Sequence, residues 1–320
     1  MAASFRPKNR TTVRAQSVAL RATRAGLRVL SPRAPDLAAR WAERLFLTAR
    51  RHERPRWEEE ALASSRRGRV AHEGGWLPTW TWSPTGRASL DEPPAVILVH
   101  GWEGRGSQLA RFAEPLVARG LRVVAFDAPG HGDATASRAS LVEHARALVS
   151  VARAAGDVHA VVGHSVGGAA ALFATRLGLR AERFVLLAPP TSPVPFTATF
   201  SRILGLDPEV ERAMIARVEA RYRISMRDLD ARLDAARLPS PLLVVHDADD
   251  RVVPIDSGRG IARSAPRAEL LETTGLGHHA ILRAPEVIDR VARFVGQGVR
   301  RCTFAETLEG ELFLRDTRWS

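Results

Sequence analysis

The sequence contains very little of several residue types, and each shortage excludes a class of protein. Cys302 is the only cysteine among 320 residues, so the chain can form no internal disulfide and no cysteine-ligated metal site. No stretch approaches the roughly 18 consecutive apolar residues that a membrane-spanning helix requires. With 45% hydrophobic residues, the composition is that of a soluble globular protein. We therefore expect a reducing, cytoplasmic location and no secretory signal peptide.

Positive charge is abundant but unevenly distributed. The formal net charge is +12, and residues 1–70 hold 17 basic against 6 acidic residues, so nearly all of the excess lies there. Lys8 is the only lysine, and all the other basic residues are arginine. Aromatic residues do not alternate with the basic ones as they do in RNA-binding segments. We expect no nucleic-acid partner.

The basic segment predicts two amphipathic helices, one over residues 14–30 and one that begins at Pro35. Their apolar positions are Leu20, Leu27 and Leu30 in the first helix and Leu37, Trp41 and Leu45 in the second. The preferred interpretation is that both helices pack on the main domain or on a partner. The absence of acidic residues before Asp36 is also typical of a mitochondrial transit peptide, or of weak membrane-surface contact through residues 14–50.

Short apolar segments alternate with helical ones from residue 68 onward. A hairpin is expected over 68–83, and a helix over 109–119 with a kink at Pro115. Further strands are predicted at 95–99, 121–126, 159–162, 184–187, 242–245 and 269–271. Unbroken Val, Leu and Ile strands that alternate with helices predict a mostly parallel sheet covered on both faces.

The stretch between Pro190 and Pro239 interrupts this alternation because it contains helix signals and no strand signal. A helical insertion at the carboxyl end of a parallel sheet is well placed to cover a site as a lid. Its candidate substrate-binding residues are Phe196, Phe200, Met214 and Val218. The alternative is that the insertion only packs on the domain.

The stretch Gly163-His-Ser165-Val-Gly167 lies between a predicted strand and a predicted helix. This pattern is typical of a nucleophile elbow, a turn so tight that its flanking positions must lack a Cβ and the serine hydroxyl is exposed above the sheet. The oxyanion formed by serine attack needs two N–H donors. The candidates are the amides of Val166 and of Trp102, which lies in the glycine-rich loop 100–106.

A nucleophilic serine requires a base, and the base requires a third group that orients it. Acidic residues follow the strand at 242–245, and the pair His278-His279 follows the last strand. The residues alone leave Asp247, Asp249 and Asp250 open as the carboxylate, and either histidine as the base. A metal site formed by His246 with these acids and the histidine pair lacks any known ligand spacing, so we expect no metal and no cofactor.

Five motifs in this order resemble those of the α/β-hydrolase superfamily. They are His100-Gly101-Trp102, Asp127-Ala-Pro-Gly-His-Gly132, Gly163-His-Ser-Val-Gly167, His246 to Pro254, and Gly277-His278. In that superfamily the carboxylate usually precedes a Val-Pro pair, which favours Asp250. The histidine usually follows a glycine, which favours His278. Glu103 departs from the family pattern, and we expect it to pair with Arg105. The alternative is that it selects cationic substrates.

The resemblance implies an α/β-hydrolase fold over residues 68–296 with a lid insertion at 190–239. A basic helical extension, 1–67, precedes this domain and a tail, 297–320, follows it. The expected activity is hydrolysis of a small-molecule carboxylic ester or thioester through an acyl-enzyme. The alternatives are an amidase, peptidase or acyltransferase with the same three residues, or a non-catalytic binding protein of the same fold. The oligomeric state stays open.

Overall fold

The structure, a computed structural model, describes residues 10–85 and 92–299, with side chains from Val18 onward. The remaining residues lie outside this description. They include Cys302 and all of the predicted tail beyond Val299.

The described residues form one eight-stranded sheet in the order β1-β2-β4-β3-β5-β6-β7-β8. Its strands are β1 Arg66–His72, β2 Gly75–Trp82, β3 Ala95–Val99, β4 Arg122–Phe126, β5 Val158–His164, β6 Arg183–Leu187, β7 Leu242–Asp247 and β8 Ala268–Thr273. β1 and β2 form the predicted hairpin and join β4 antiparallel, whereas all the other neighbours are parallel. The predicted fold class is confirmed.

Helices cover both faces of this sheet. Their bounds are α1 Arg10–Leu30, α2 Pro35–Phe46, α3 Arg56–Ala63, α4 Ala113–Val117, α5 Leu141–Ala155, α6 Val166–Arg176, α7 Val194–Leu204, α8 Pro208–Tyr222, α9 Ala231–Ala235, α10 Ile255–Ser264, α11 Gly277–Ala280 and α12 Pro285–Val295. Alternate residues of β3 face opposite cores: Ile97 packs with α5 and α6, whereas Leu98 packs with α4 and α12. Burial on both faces explains why the inner strands β3, β4, β6 and β7 are almost continuously apolar.

The segment predicted as one helix over 109–119 is instead a 3₁₀ helix, Gly106–Phe112, followed by the short α4. Pro115 is the third residue of α4. Because proline lacks an N–H and clashes with the preceding turn in a helix interior, it is tolerated only in a first turn. An α-helix that contains Pro115 must therefore begin close to it, and the preceding residues form a different helix.

The helices α1 and α2 pack on the insertion between β6 and β7, which contains α7, α8 and α9. Leu27, Ala38 and Ala42 form a buried cluster with Val210 and Met214 of the insertion. Glu43 of α2 is buried there, and its two oxygens accept hydrogen bonds of 2.7 and 2.8 Å from Arg217 and Arg221. The packing interpretation of the basic segment is thus confirmed for these residues.

Within the described part of the chain, no helix is long and apolar enough to cross a membrane. The exposed side chains of α1 include Val18, Leu20 and Val29. Weak membrane-surface contact through residues 14–50 stays a prediction.

Candidate active site

Ser165 occupies a strained turn between β5 and α6, with φ 53° and ψ −126°. Residues other than glycine rarely adopt this conformation, and such strain is typical of functional positions. A Cβ on Gly163 would lie 2.7 Å from Cα of Gly168, and a Cβ on Gly167 would lie 2.4 Å from the carbonyl oxygen of His100. Only glycine fits at both positions, as the elbow motif predicts.

Ser165, His278 and Asp250 form a continuous hydrogen-bonded chain. Nε2 of His278 lies 3.0 Å from Oγ of Ser165, and Nδ1 of His278 lies 2.7 Å from Oδ2 of Asp250. All three residues are buried, so little water competes for these contacts. Because a carboxylate only accepts, Nδ1 carries the proton and Nε2 is free to accept the serine hydroxyl proton.

The carboxylate of Asp250 is held on several sides. Its Oδ1 accepts the N–H groups of Val252 and Val253 at 2.8 and 2.9 Å, and Nε2 of His246 lies 3.5 Å from Oδ2. Burial opposes the charged form, but the nearby His246 ring and the hydrogen bonds from His278 and the two amides outweigh it and hold the pKa of Asp250 well below its usual value. Asp250 therefore stays ionised beside His278.

The alternative residues have other contacts. Asp247 accepts hydrogen bonds from the amides of Leu276 and Gly277 and from the Thr273 hydroxyl, and Asp249 accepts one from the Gly275 amide. Both carboxylates thus brace the loop that carries His278. His279 is exposed, whereas His278 is buried against Ser165. Of the alternatives left open by the residues alone, the structure brings only Asp250 and His278 together with Ser165.

The glycine-rich loop 100–106 passes beside the nucleophile. A Cβ on Gly101 would lie 3.0 Å from Cβ of Ser165, so the backbone that leads to Trp102 is adjacent to the serine. Val166 is the first residue of α6, and such an N–H has no carbonyl one turn earlier to bind within its own helix. Val166 thus directly follows Ser165, and Gly101, the residue before Trp102, lies against the serine.

The expected pairing of Glu103 with Arg105 is wrong. Oε1 of Glu103 lies 3.2 Å from Nε of Arg50, and Oε2 of Glu103 lies 3.6 Å from Nε2 of His52. Arg105 is buried and donates instead to both oxygens of Glu58, at 2.5 and 2.7 Å. Because Glu58 occupies the Arg105 fork bidentately, that guanidinium does not reach Glu103.

Two carboxylates to which the sequence analysis assigned no role hold the glycine-rich loop in place. Glu58 of α3 also accepts the Ser107 hydroxyl at 2.5 Å. Asp127, at the end of β4, accepts the Gly106 amide at 2.8 Å and a guanidinium N–H of Arg54 at 3.2 Å. Burial raises the pKa of Asp127 to about 6 although these donors favour the carboxylate. For Asp127 the motif itself was the signal; for Glu58 the sequence contains none.

The candidate substrate-binding residues separate into two groups. Met214 and Val218 are buried, Met214 against the N-terminal helices and Val218 in the core beside α5, so the expectation that they face substrate is corrected. Phe200 packs edge-on against Phe46 of α2, with ring centroids 5.2 Å apart. Phe196 of α7 is 39% exposed and is the only one of the four that is exposed. The N-terminal helices cover the insertion face that we assigned to substrate.

Residues 96–291 match the Alpha/beta hydrolase family. A 2-hydroxy-6-oxononadienedioate/2-hydroxy-6-oxononatrienedioate hydrolase of Dechloromonas aromatica (strain RCB) is 29% identical over 235 residues, 58% of this chain and 80% of that protein. A monoacylglycerol lipase of Mycolicibacterium smegmatis is 27% identical over 259 residues, 67% of this chain and 90% of that protein.

The crystal structure of an esterase from Rhodococcus sp. ECU1013 is similar with a TM-score of 0.52 and 18% identity. The likeness covers 73% of this chain and 99% of that one, and at this identity it concerns the fold alone. The matched residues contain β4 to β8 and all of β3 except Ala95, together with the elbow, Asp250 and His278. The chain belongs to the α/β-hydrolase family.

Proposed function

We propose that the chain is a serine hydrolase that cleaves a carboxylic ester or thioester through an acyl-enzyme on Ser165. The observation that carries this proposal is the chain of contacts from Ser165 through His278 to Asp250, at 3.0 and 2.7 Å. A serine hydroxyl is a weak nucleophile unless an oriented base accepts its proton, and these contacts supply both base and orientation. The monoacylglycerol lipase among the similar proteins supports an ester substrate.

Each step has an assigned group. Oγ of Ser165 attacks the acyl carbon while Nε2 of His278 takes the hydroxyl proton. The carboxylate of Asp250 stabilises the resulting imidazolium, and the amides of Trp102 and Val166 donate to the oxyanion. The imidazolium then protonates the leaving alkoxide or thiolate. A water that is deprotonated by His278 then attacks the acyl carbon. As the bond between that carbon and Oγ of Ser165 breaks, the imidazolium returns the proton to Oγ, and the carboxylic acid is released.

The substrate is a small-molecule acyl compound, and Phe196 is the candidate contact for its acyl group because it is the exposed aromatic residue of the insertion. The same three residues serve an amidase, peptidase or acyltransferase. A non-catalytic binding protein of this fold is the alternative from another class. Neither a cofactor nor a resident metal takes part in the proposed reaction.

A fluorophosphonate probe and a series of p-nitrophenyl esters of graded chain length test the proposal. We expect the wild-type chain to be labelled on Ser165 and to hydrolyse at least part of the series. Ser165→Ala and His278→Ala should lose nearly all turnover, because the nucleophile and its base act as one unit. The matched control, His279→Ala, should keep most of it. A wild-type chain that is neither labelled nor active supports the binding protein, and equal losses in both histidine variants refute the choice of base.

A further inference from the structure

Three buried histidines lie together behind the glycine-rich loop, outside the hydrogen-bonded chain of Ser165. His100 follows β3, His131 lies in the turn after β4, and His144 lies on α5. Their ring centroids are 4.8 to 5.2 Å apart, and a nitrogen of each ring lies within 4.8 Å of a nitrogen of the others. All three are fully buried, which is unusual for histidine.

The tautomers of His131 and His144 follow from their partners. Nδ1 of His131 lies 2.9 Å from the carbonyl oxygen of Pro129, and Nδ1 of His144 lies 2.9 Å from that of Ser140. A carbonyl oxygen only accepts, so both Nδ1 atoms carry protons. In a neutral ring Nε2 then presents a lone pair.

Neither of these Nε2 atoms has a hydrogen-bond partner among the described residues, although both are buried. Burying two nitrogen lone pairs without a hydrogen-bond donor costs free energy in a protein interior. In metal-binding histidines a carbonyl oxygen commonly accepts the Nδ1–H, which fixes the tautomer and the ring orientation and leaves Nε2 to bind the metal. We propose that His131 and His144 bind an imidazole-preferring divalent transition-metal ion through Nε2, with Zn²⁺ as the probe.

The distances suit this ion. Zn–N bonds measure about 2.0–2.1 Å, so two nitrogens on one tetrahedral ion lie about 3.4 Å apart, and one nitrogen of each ring lies within 4.8 Å of a nitrogen of the others. His100 is not counted as a ligand, because its Nδ1 donates to the carbonyl oxygen of Gly101 at 2.8 Å and its Nε2 accepts the Ala128 amide at 2.9 Å. The edge of Trp102 covers His131, with ring centroids 5.5 Å apart.

This inference revises the expectation of no metal, and it does not depend on the proposed hydrolysis. The spacing of residues 100, 131 and 144 matches no ligand motif, so only the fold brings the three rings together. The competing explanation is a water molecule that donates one hydrogen to each Nε2.

Calorimetric titration of the untagged, EDTA-treated full chain with Zn²⁺ tests the site. We expect one ion per chain. His131→Leu and His144→Leu should each lower the affinity by more than roughly 100-fold, because loss of a group that only hydrogen-bonds to a ligand already weakens metal binding about 10–100-fold. His52→Gln, which removes an exposed histidine, should bind as wild type does. Absent or non-saturable binding, or equal binding by all variants, overturns the proposal.

Should the leucine variants fail to fold by circular dichroism, anomalous diffraction at the zinc edge from wild-type crystals soaked in Zn²⁺ decides. A peak between Nε2 of His131 and Nε2 of His144 supports the site. A map without that peak overturns it, even if ions occupy the surface.

Discussion

The buried pair of Glu58 and Arg105 connects the N-terminal segment to the loop beside Ser165. Glu58 is 2% exposed and accepts three hydrogen bonds, two from Arg105 and one from the Ser107 hydroxyl. Glu58→Ala removes all three and leaves the Arg105 guanidinium charged, buried and without its partner. Loss of one member of a buried ion pair destabilises a protein by about 3–5 kcal/mol, and we expect a loss of that size.

The same helix supplies the control. Glu60 pairs with Arg56 at i,i+4, and these side chains are 62% and 91% exposed. Such pairs stabilise by only about 0.3–0.5 kcal/mol, so Glu60→Ala should hardly change the free energy of unfolding. The double variant Glu58→Leu/Arg105→Leu should recover part of the loss, because apolar replacement removes the stranded charge.

Urea denaturation followed by circular dichroism measures these differences. The midpoint should fall for Glu58→Ala at an unchanged denaturant slope, which indicates lost stability rather than an altered unfolded state. Turnover of a p-nitrophenyl ester should fall as well, because Arg105 lies in the same loop, 100–106, as Trp102. If Glu58→Ala loses no more stability than Glu60→Ala, the pair does not hold the loop and the reasoning is refuted.

Three further predictions address the carboxylates and the N-terminal packing. Asp250→Asn should lower kcat strongly because the amide favours the wrong histidine tautomer, whereas Asp249→Asn should keep most activity; a reversed order moves the carboxylate by one residue. Folded Asp127 has a pKa of about 6 against about 3.9 unfolded, so the folded state binds more protons between these values and stability falls as pH rises. Relative to wild type, Asp127→Asn should therefore gain stability from pH 4 to 6 in urea titrations, by at most about 1.4 kcal/mol per unit, and a constant difference contradicts the raised pKa. Leu27→Ala should destabilise by about 2–5 kcal/mol through a cavity in the cluster with α8, whereas Val29→Ala, at a 60% exposed position, should change stability by less than about 0.5 kcal/mol; equal thermal midpoints refute the packing.

Local sequence determined the sheet and the elbow. A buried strand must be apolar wherever it lies, so the strands are recognisable without knowledge of their neighbours. Gly163 and Gly167 are required because a Cβ at either position would clash with residues a few positions away or with the end of the adjacent strand. The turn can therefore be recognised from five consecutive residues. Chain order placed an acidic cluster and a histidine pair at the same sheet edge as Ser165. The choice of Asp250 and His278 within those clusters came from the family resemblance, and the structure shows their contacts.

Tertiary structure alone decided what covers each surface. The apolar positions around Met214 predicted an apolar face on α8, but they did not predict that α2 packs on this face. Arg105 was expected to pair with its neighbour Glu103, yet its partner Glu58 lies 47 positions earlier. The rings of His131 and His144 meet because a turn and a helix pack against each other. Periodicity reports which side of an element is apolar, whereas partners distant in sequence are set by packing, which no local pattern encodes.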